Sequence, residues 1–140
     1  MKRVGHLWSS LLAHQNLLNA YLKARRGKRT RAVVEQFEYR RELELARLRD
    51  ELTTNTYLPS PYHTFMIYDT KPRMISAAPF RDRVVHHALC NIIEPVFDRG
   101  FIHDSYASRL GRGTHAAIHR YQQFARSSAW VLKCDVRQFF

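Results

Sequence analysis

Acidic side chains are scarce in this sequence. Its 140 residues hold 12 Asp and Glu against 23 Lys and Arg, a net charge of +11. Such an excess points to a polyanion partner, nucleic acid before anionic membrane. A solvated basic surface with no partner is the plain alternative. Cysteine is scarcer still. Cys90 and Cys134 are too few for a disulfide framework or a zinc cage. Both lie in apolar stretches, as small reduced core residues do, which fits a reducing cytoplasm. No apolar run approaches the ~20 residues of a membrane span. Met1-Lys2-Arg3 lacks the apolar core of a signal peptide. There is no internal repeat and no low-complexity linker. Metal ligation by histidine is not expected either. His86, His87 and Cys90 share a helix, and His115 and His119 stand four apart. Neither set has the Glu of a zinc-protease helix or four ligands.

What is present is globular: 45% hydrophobic and 25% charged, enough chain for one modest domain. Residues 7–21 carry Leu7, Leu11, Leu18 and Tyr21 at helical spacing, with Asn16 placed to cap or interrupt them, so one or two short helices are expected. Lys23 to Arg29 then reads as a cationic last turn closed by Gly27. The same run can lie along a phosphate backbone, which makes Lys28 and Arg29 candidate nucleic-acid contacts. Residues 30–52 read as one long helix. Val34, Phe37, Leu45, Leu48 and Leu52 form its apolar stripe, broken by Arg41, and its other face mixes signs.

Residues 62–68 alternate towards strand, Asp69-Thr70-Lys71-Pro72 is turn chemistry, and residues 73–77 return as the second strand. The hairpin sets Lys71 at its tip and Arg73 beside it. Cations there either protect an edge or hold a mobile anion such as a triphosphate. Residues 80–97 carry Val84, Val85, Ala88, Leu89, Ile92, Ile93 and Val96, so a buried central helix is expected, kinked or closed at Pro95. Gly111-Arg112-Gly113 precedes a helix to about residue 127, with Thr114 as its N-cap. Such a turn can take a phosphate. Residues 130–135 read as a buried strand ending in Asp135. An acid there is costly to desolvate unless paired or bound to metal, though it can also cap the next turn.

Three blocks of this chain resemble reverse transcriptases of bacteria. Lys71 to Leu89, including Pro79-Phe80-Arg81-Asp82-Arg83-Val84-Val85-His86-His87, looks like their first block. Phe101 to His115, with Asp104-Ser105-Tyr106-Ala107-Ser108-Arg109-Leu110-Gly111-Arg112-Gly113, resembles the second. Lys133-Cys134-Asp135-Val136-Arg137-Gln138-Phe139-Phe140 resembles the opening of the palm motif. Together they cover about half the chain, and the nearest likeness is to the diversity-generating retroelement and group II intron branch.

The resemblance implies an α+β fold, mostly helical with a β-hairpin: fingers and first palm strand of a right-hand polymerase. It divides the chain into a helical lead-in (residues 1–60), a fingers region (61–129) and the start of a palm (130–140). It implies Asp135 as the catalytic aspartate ligating Mg2+, with the Val136 carbonyl as a further ligand. Lys71, Arg73, Val136, Arg137 and Phe140 would contact the incoming dNTP, Phe140 screening the ribose. Arg81, Arg109, Arg112, Lys28 and Arg29 would contact an RNA template and DNA primer, and an accessory protein of a mobile element would be a further partner. The family's Tyr-x-Asp-Asp hairpin and thumb do not occur in these residues. A single carboxylate cannot hold two magnesium ions ~4 Å apart, so the residues alone are expected to be inactive. The competing expectation is a non-catalytic RNA-binding module of maturase type.

Overall fold

The computed structural model describes residues 3–137. Six helices and one hairpin follow in the order α1 (Leu7–Leu12), α2 (His14–Arg25), α3 (Ala32–Tyr39), α4 (Arg41–Thr53), β1 (His63–Tyr68), β2 (Pro72–Ala77), α5 (Phe80–Asp98) and α6 (Thr114–Ala125). The chain is therefore α+β and mostly helical. It divides into two units, Met1–Phe97 and Asp98–Phe140.

The first helical stretch is two helices, separated at Ala13, whose ψ of 130° is extended. Asn16 makes that break useful. Its amide Nδ2 donates to the Leu11 carbonyl at 3.0 Å and to the Ala88 carbonyl at 3.1 Å, joining the end of α1 to α5. Past α2, Gly27 takes φ 71°, a left-handed value that glycine adopts without steric cost.

The single helix expected over residues 30–52 is two. Arg40, at φ −111° and ψ 24°, separates α3 from α4. An unbroken helix would hold Arg41 in the apolar seam, where a lone guanidinium is costly to desolvate. The break lets Val34 and Phe37 face the core from α3, and Leu45, Leu48 and Leu52 from α4. Arg41 pairs instead with Glu42 at 2.8 Å.

The hairpin forms as the turn chemistry indicates. β1 and β2 are antiparallel, in register from His63 opposite Ala77 to Tyr68 opposite Pro72. The connection is Asp69-Thr70-Lys71, which leaves Lys71 in the turn and Arg73 opposite Ile67. Every residue of β1 is exposed, so the hairpin is held by its ladder and its ends rather than by burial.

α5 supplies the centre of the first unit, but only with its first half. Phe80, Val84, Val85 and Ala88 are buried, whereas Leu89 is exposed and Ile92, Ile93 and Val96 are half-buried. The expected apolar face along the whole helix is thus only partly covered beyond Ala88, where Ile92 still packs against the core. Pro95 does not end α5, which continues to Asp98. Tyr21 of α2, Phe37 of α3 and Phe80 of α5 meet as an aromatic trio. Tyr21 stacks on Phe37 at 5.6 Å, and Phe80 meets their edges at 6.3 and 5.1 Å. Edge-on and offset contacts of this kind add about 0.5–1.5 kcal/mol each beyond burial.

The second unit is built differently. Gly113 precedes α6 and its carbonyl accepts the Ala117 N–H at 2.9 Å, so Thr114 is the first helical residue and not the cap expected of it. No residue of α6 is buried. The strand expected over residues 130–135 does not form. Trp130 is 91% exposed and Leu132 87%, and no strand is present among the described residues of this unit. A strand needs a ladder partner for its backbone groups. The cysteines also depart from expectation: Cys90 is half-buried and Cys134 exposed.

Candidate nucleic-acid and nucleotide interface

The hairpin tip presents two of the expected nucleotide contacts. Lys71 and Arg73 are exposed, and neither is in an ion pair among the described residues. They stand two positions apart, Lys71 in the turn and Arg73 on β2, so both charges lie on one short arm.

Lys28 and Arg29 follow Gly27 in the α2–α3 connection. Arg29 is exposed and Lys28 half-buried. Burial pushes the Lys28 ammonium below its ordinary pKa, and the charges of Arg83 and Arg31 push it further. Arg83 was not singled out from the sequence as a contact. It is in the first turn of α5, and its Nε is buried without a hydrogen-bond partner.

Arg81 is occupied internally. It pairs with Glu51 of α4 and lies over the Tyr57 ring at 5.5 Å. Its neighbour in the first turn of α5 is Asp82. It is 1% exposed, accepting the Tyr57 hydroxyl at 2.7 Å and the Ser60 N–H at 2.9 Å. Burial first, and the hydrogen bond to Asp82 second, push the Tyr57 phenol well above its usual pKa.

In the second unit the arginines fold their own loop. Arg109 Nε donates to Asp98 at 2.6 Å and its Nη1 donates to the carbonyls of Ile102 and Ser105, each at 3.1 Å. Its side chain is 12% exposed. Arg112 Nη1 donates to the His103 carbonyl at 2.5 Å, and its guanidinium covers the Tyr106 ring. The guanidinium expected to receive a phosphate at the Gly-Arg-Gly turn is therefore directed at the loop. Arg120 and Asp104 complete the arrangement. Arg120 Nε donates to Asp104 Oδ1 at 2.8 Å and holds that carboxyl at a pKa of about 2, well below its ordinary value. Asp104 also accepts from Tyr106. The i, i+16 separation of this pair hides it from any periodic pattern.

Asp135, Val136 and Arg137 are exposed and lie outside any helix or strand. Phe140 lies outside the described residues. Among the described residues no group of three or more His, Cys, Asp and Glu is placed to hold a metal ion. No helix there is long and apolar enough to cross a membrane. An open groove of about 790 Å³, lined by Val33, Gln36, Tyr39 and Arg40 among others, contains none of the candidate site residues read from the sequence.

No family model matches the chain. Over 105 residues, 70% of its length, it is 31% identical to Protein YkfC of Escherichia coli K12, of which it spans 28%. It is 37% identical over 59 residues to nuclear intron maturase 1, mitochondrial, of Arabidopsis thaliana. That match takes in 42% of this chain and 8% of the maturase. Nuclear intron maturase 2 of the same plant is 33% identical over 58 residues, 41% of this chain and again 8% of the relative. The chain thus spans 28% or less of each of these relatives, and over part of its length it is similar to one bacterial protein and to two plant intron maturases.

Proposed function

We propose that residues 61–129 are the fingers of an RNA-directed DNA polymerase and that residues 130–140 open its palm. The observation that carries this reading is the hairpin: Lys71 in the turn and Arg73 on β2, exposed and unpaired among the described residues. Nucleotidyl transfer needs the charge on the leaving phosphates neutralised, and two cations on a slender arm suit that task. The net charge of +11 supplies the basic surface a template and primer need.

In this reading Asp135 offers one carboxylate towards Mg2+, Val136 its carbonyl, and Arg137 and Phe140 contacts to the nucleotide. Hard divalent ions want several oxygens, and a two-ion centre wants several carboxylates. Asp135 is one exposed carboxylate with no acidic cluster around it among the described residues. These residues do not fit a magnesium pair. In this reading Asp135 would supply one carboxylate of such a centre, while Lys71 and Arg73 would hold the nucleotide.

Titration of the 140-residue chain with a fluorescent dNTP tests the reading. Arg73→Ala should weaken binding about tenfold, the scale of one charge-assisted contact. Equal affinity of the wild type and the Lys71→Ala/Arg73→Ala double variant would sink it. The similarity to two intron maturases favours a second reading, a non-catalytic RNA-binding module. That reading expects structured-RNA binding with no dependence on magnesium or on Asp135.

A further inference from the structure

Several cations of the first unit lie within electrostatic reach of one another: Arg83 and Arg31 act on Lys28, and Lys23 and Lys28 act on His87. The α2–α3 connection winds tightly: the Lys28 N–H donates to the Arg25 carbonyl at 2.9 Å, and the Arg31 N–H to the Lys28 carbonyl at 3.2 Å. With Gly27 in its left-handed conformation, this keeps Lys28 and Arg31 on one short bend. Lys23 of α2 reaches α5, its Nζ donating to Asn91 Oδ1 at 2.5 Å. From α5, Arg83 lays its guanidinium against the Phe80 ring at 5.7 Å while its Nε stays buried and unpartnered. Among the described residues none of Lys23, Lys28, Arg31 and Arg83 is in an ion pair.

Among the described residues the nearby acids form no ion pair with these cations. Asp82 is turned to Tyr57 and Ser60. Glu94 is the carboxylate that His87 feels, and its influence is opposed by Lys23, Lys28 and His86. Burial, and then those cations, press the His87 imidazole below its ordinary pKa. Buried polar groups in native proteins nearly always have a partner, so an orphan Nε beside uncompensated cations needs an explanation.

We propose that Lys28, Arg31 and Arg83, with Lys23 and His87 at the margin, form a phosphate-binding niche. The Arg83 Nε–H and the Lys28 ammonium close on one anionic group. This rests on the nucleic-acid reading and deepens it, because the group is a phosphate of a bound strand. The same chemistry would accept free phosphate. An anion there gives Arg83 its missing acceptor and relieves the repulsion at Lys28.

The test uses the 140-residue chain, with calorimetric titration of pyrophosphate in one arm and of a short unphosphorylated single-stranded RNA in the other. Lys28→Gln and Arg83→Gln are compared with wild type, each checked for folding by circular dichroism. Lys28 is outside the core, so its variant remains readable if Arg83→Gln unfolds. Expected is a loss of about tenfold or more in pyrophosphate affinity for each variant, and a parallel loss for RNA. Pyrophosphate should also raise the His87 pKa followed by NMR. Failure of wild type to bind pyrophosphate, or equal binding by wild type and Lys28→Gln, overturns the niche. Variants that lose pyrophosphate but keep RNA overturn its assignment to a strand. Absence of RNA binding by wild type at low salt defeats the nucleic-acid reading itself, whatever the pyrophosphate arm shows.

Discussion

Tyr57 and Asp82 are joined by a 2.7 Å hydrogen bond that fastens the segment after α4 to the first turn of α5. Asp82 takes the Ser60 N–H on its other oxygen, so a carboxylate with 1% exposure has both oxygens engaged. Removing it leaves a hydroxyl and an amide without an acceptor. Each such group costs about 1–3 kcal/mol. Asp82→Ala is therefore expected to lose about 3 kcal/mol and Tyr57→Phe about 1–2 kcal/mol, read by urea denaturation. An Asp82→Ala variant as stable as wild type contradicts the clamp.

The same contact has an alkaline signature. Burial and Asp82 raise the folded-state pKa of Tyr57 above its ordinary value of 10.0. Its stabilisation is then complete below pH 10 and is lost as the pH rises above it, because the unfolded chain sheds the phenolic proton first. Wild type should destabilise more than Tyr57→Phe between neutral pH and the alkaline range. Parallel stability curves would show that Tyr57 titrates as it does in the unfolded chain.

Asp104 behaves in the opposite sense. Arg120 lowers its folded-state pKa from 3.8 to about 2, so its contribution is present above pH 4 and fades as the pH falls towards 2. Carbon-detected NMR of the carboxyl should find it still ionised at pH 3. Arg120→Gln should move the titration back towards 3.8. A carboxyl that titrates normally in wild type means the pair does not persist in solution.

The sequence made some of this legible and hid the rest for identifiable reasons. The hairpin could be read because Asp69-Thr70-Lys71-Pro72 punctuates an alternating run, and both signals are local. α5 could be located by its period, but the exposure of Leu89 depends on what packs there, which periodicity does not encode. Arg41 was the visible warning that one helix was two, since its charge broke the apolar stripe. The run Trp130 to Asp135 has strand composition, yet a strand exists only with a partner. Arg109 and Arg112 look like phosphate ligands by type. Their use as loop braces depends on the carbonyls of Ile102, Ser105 and His103, which carry no side-chain signature. The buried Nε of Arg83 has no sequence signal at all.

The buried residues run from Leu11 to Ala88, and none of the described residues after Ala88 is buried. Local stability follows burial, since helices lacking a covered apolar face open at little cost. Amide hydrogen exchange should therefore be slow in α2 and the first half of α5 and fast throughout α6. Leu48→Ala removes a side chain with no exposure and should cost about 2–5 kcal/mol, speeding exchange across the first unit. Protection in α6 equal to that in α2 would show that burial does not order the two units.

The arginines named from sequence type can be sorted by what they already hold. Arg81 is paired with Glu51, and Arg109 and Arg112 are committed to carbonyls and Asp98. A guanidinium with its donors engaged gains little from a phosphate unless those bonds break first. Lys71, Arg73 and Arg29 have no ion-pair partner among the described residues and are exposed. Each phosphate contact contributes roughly 0.7 to the salt slope of single-strand binding. Replacing Lys71, Arg73 or Arg29 by Ala should lower that slope for RNA by about one contact and leave stability within about 0.5 kcal/mol. Replacing Arg109 by Ala should do the reverse, loosening the loop in exchange experiments with the slope unchanged. A slope that falls for Arg109→Ala in a loop that stays ordered would return that residue to the strand-binding set.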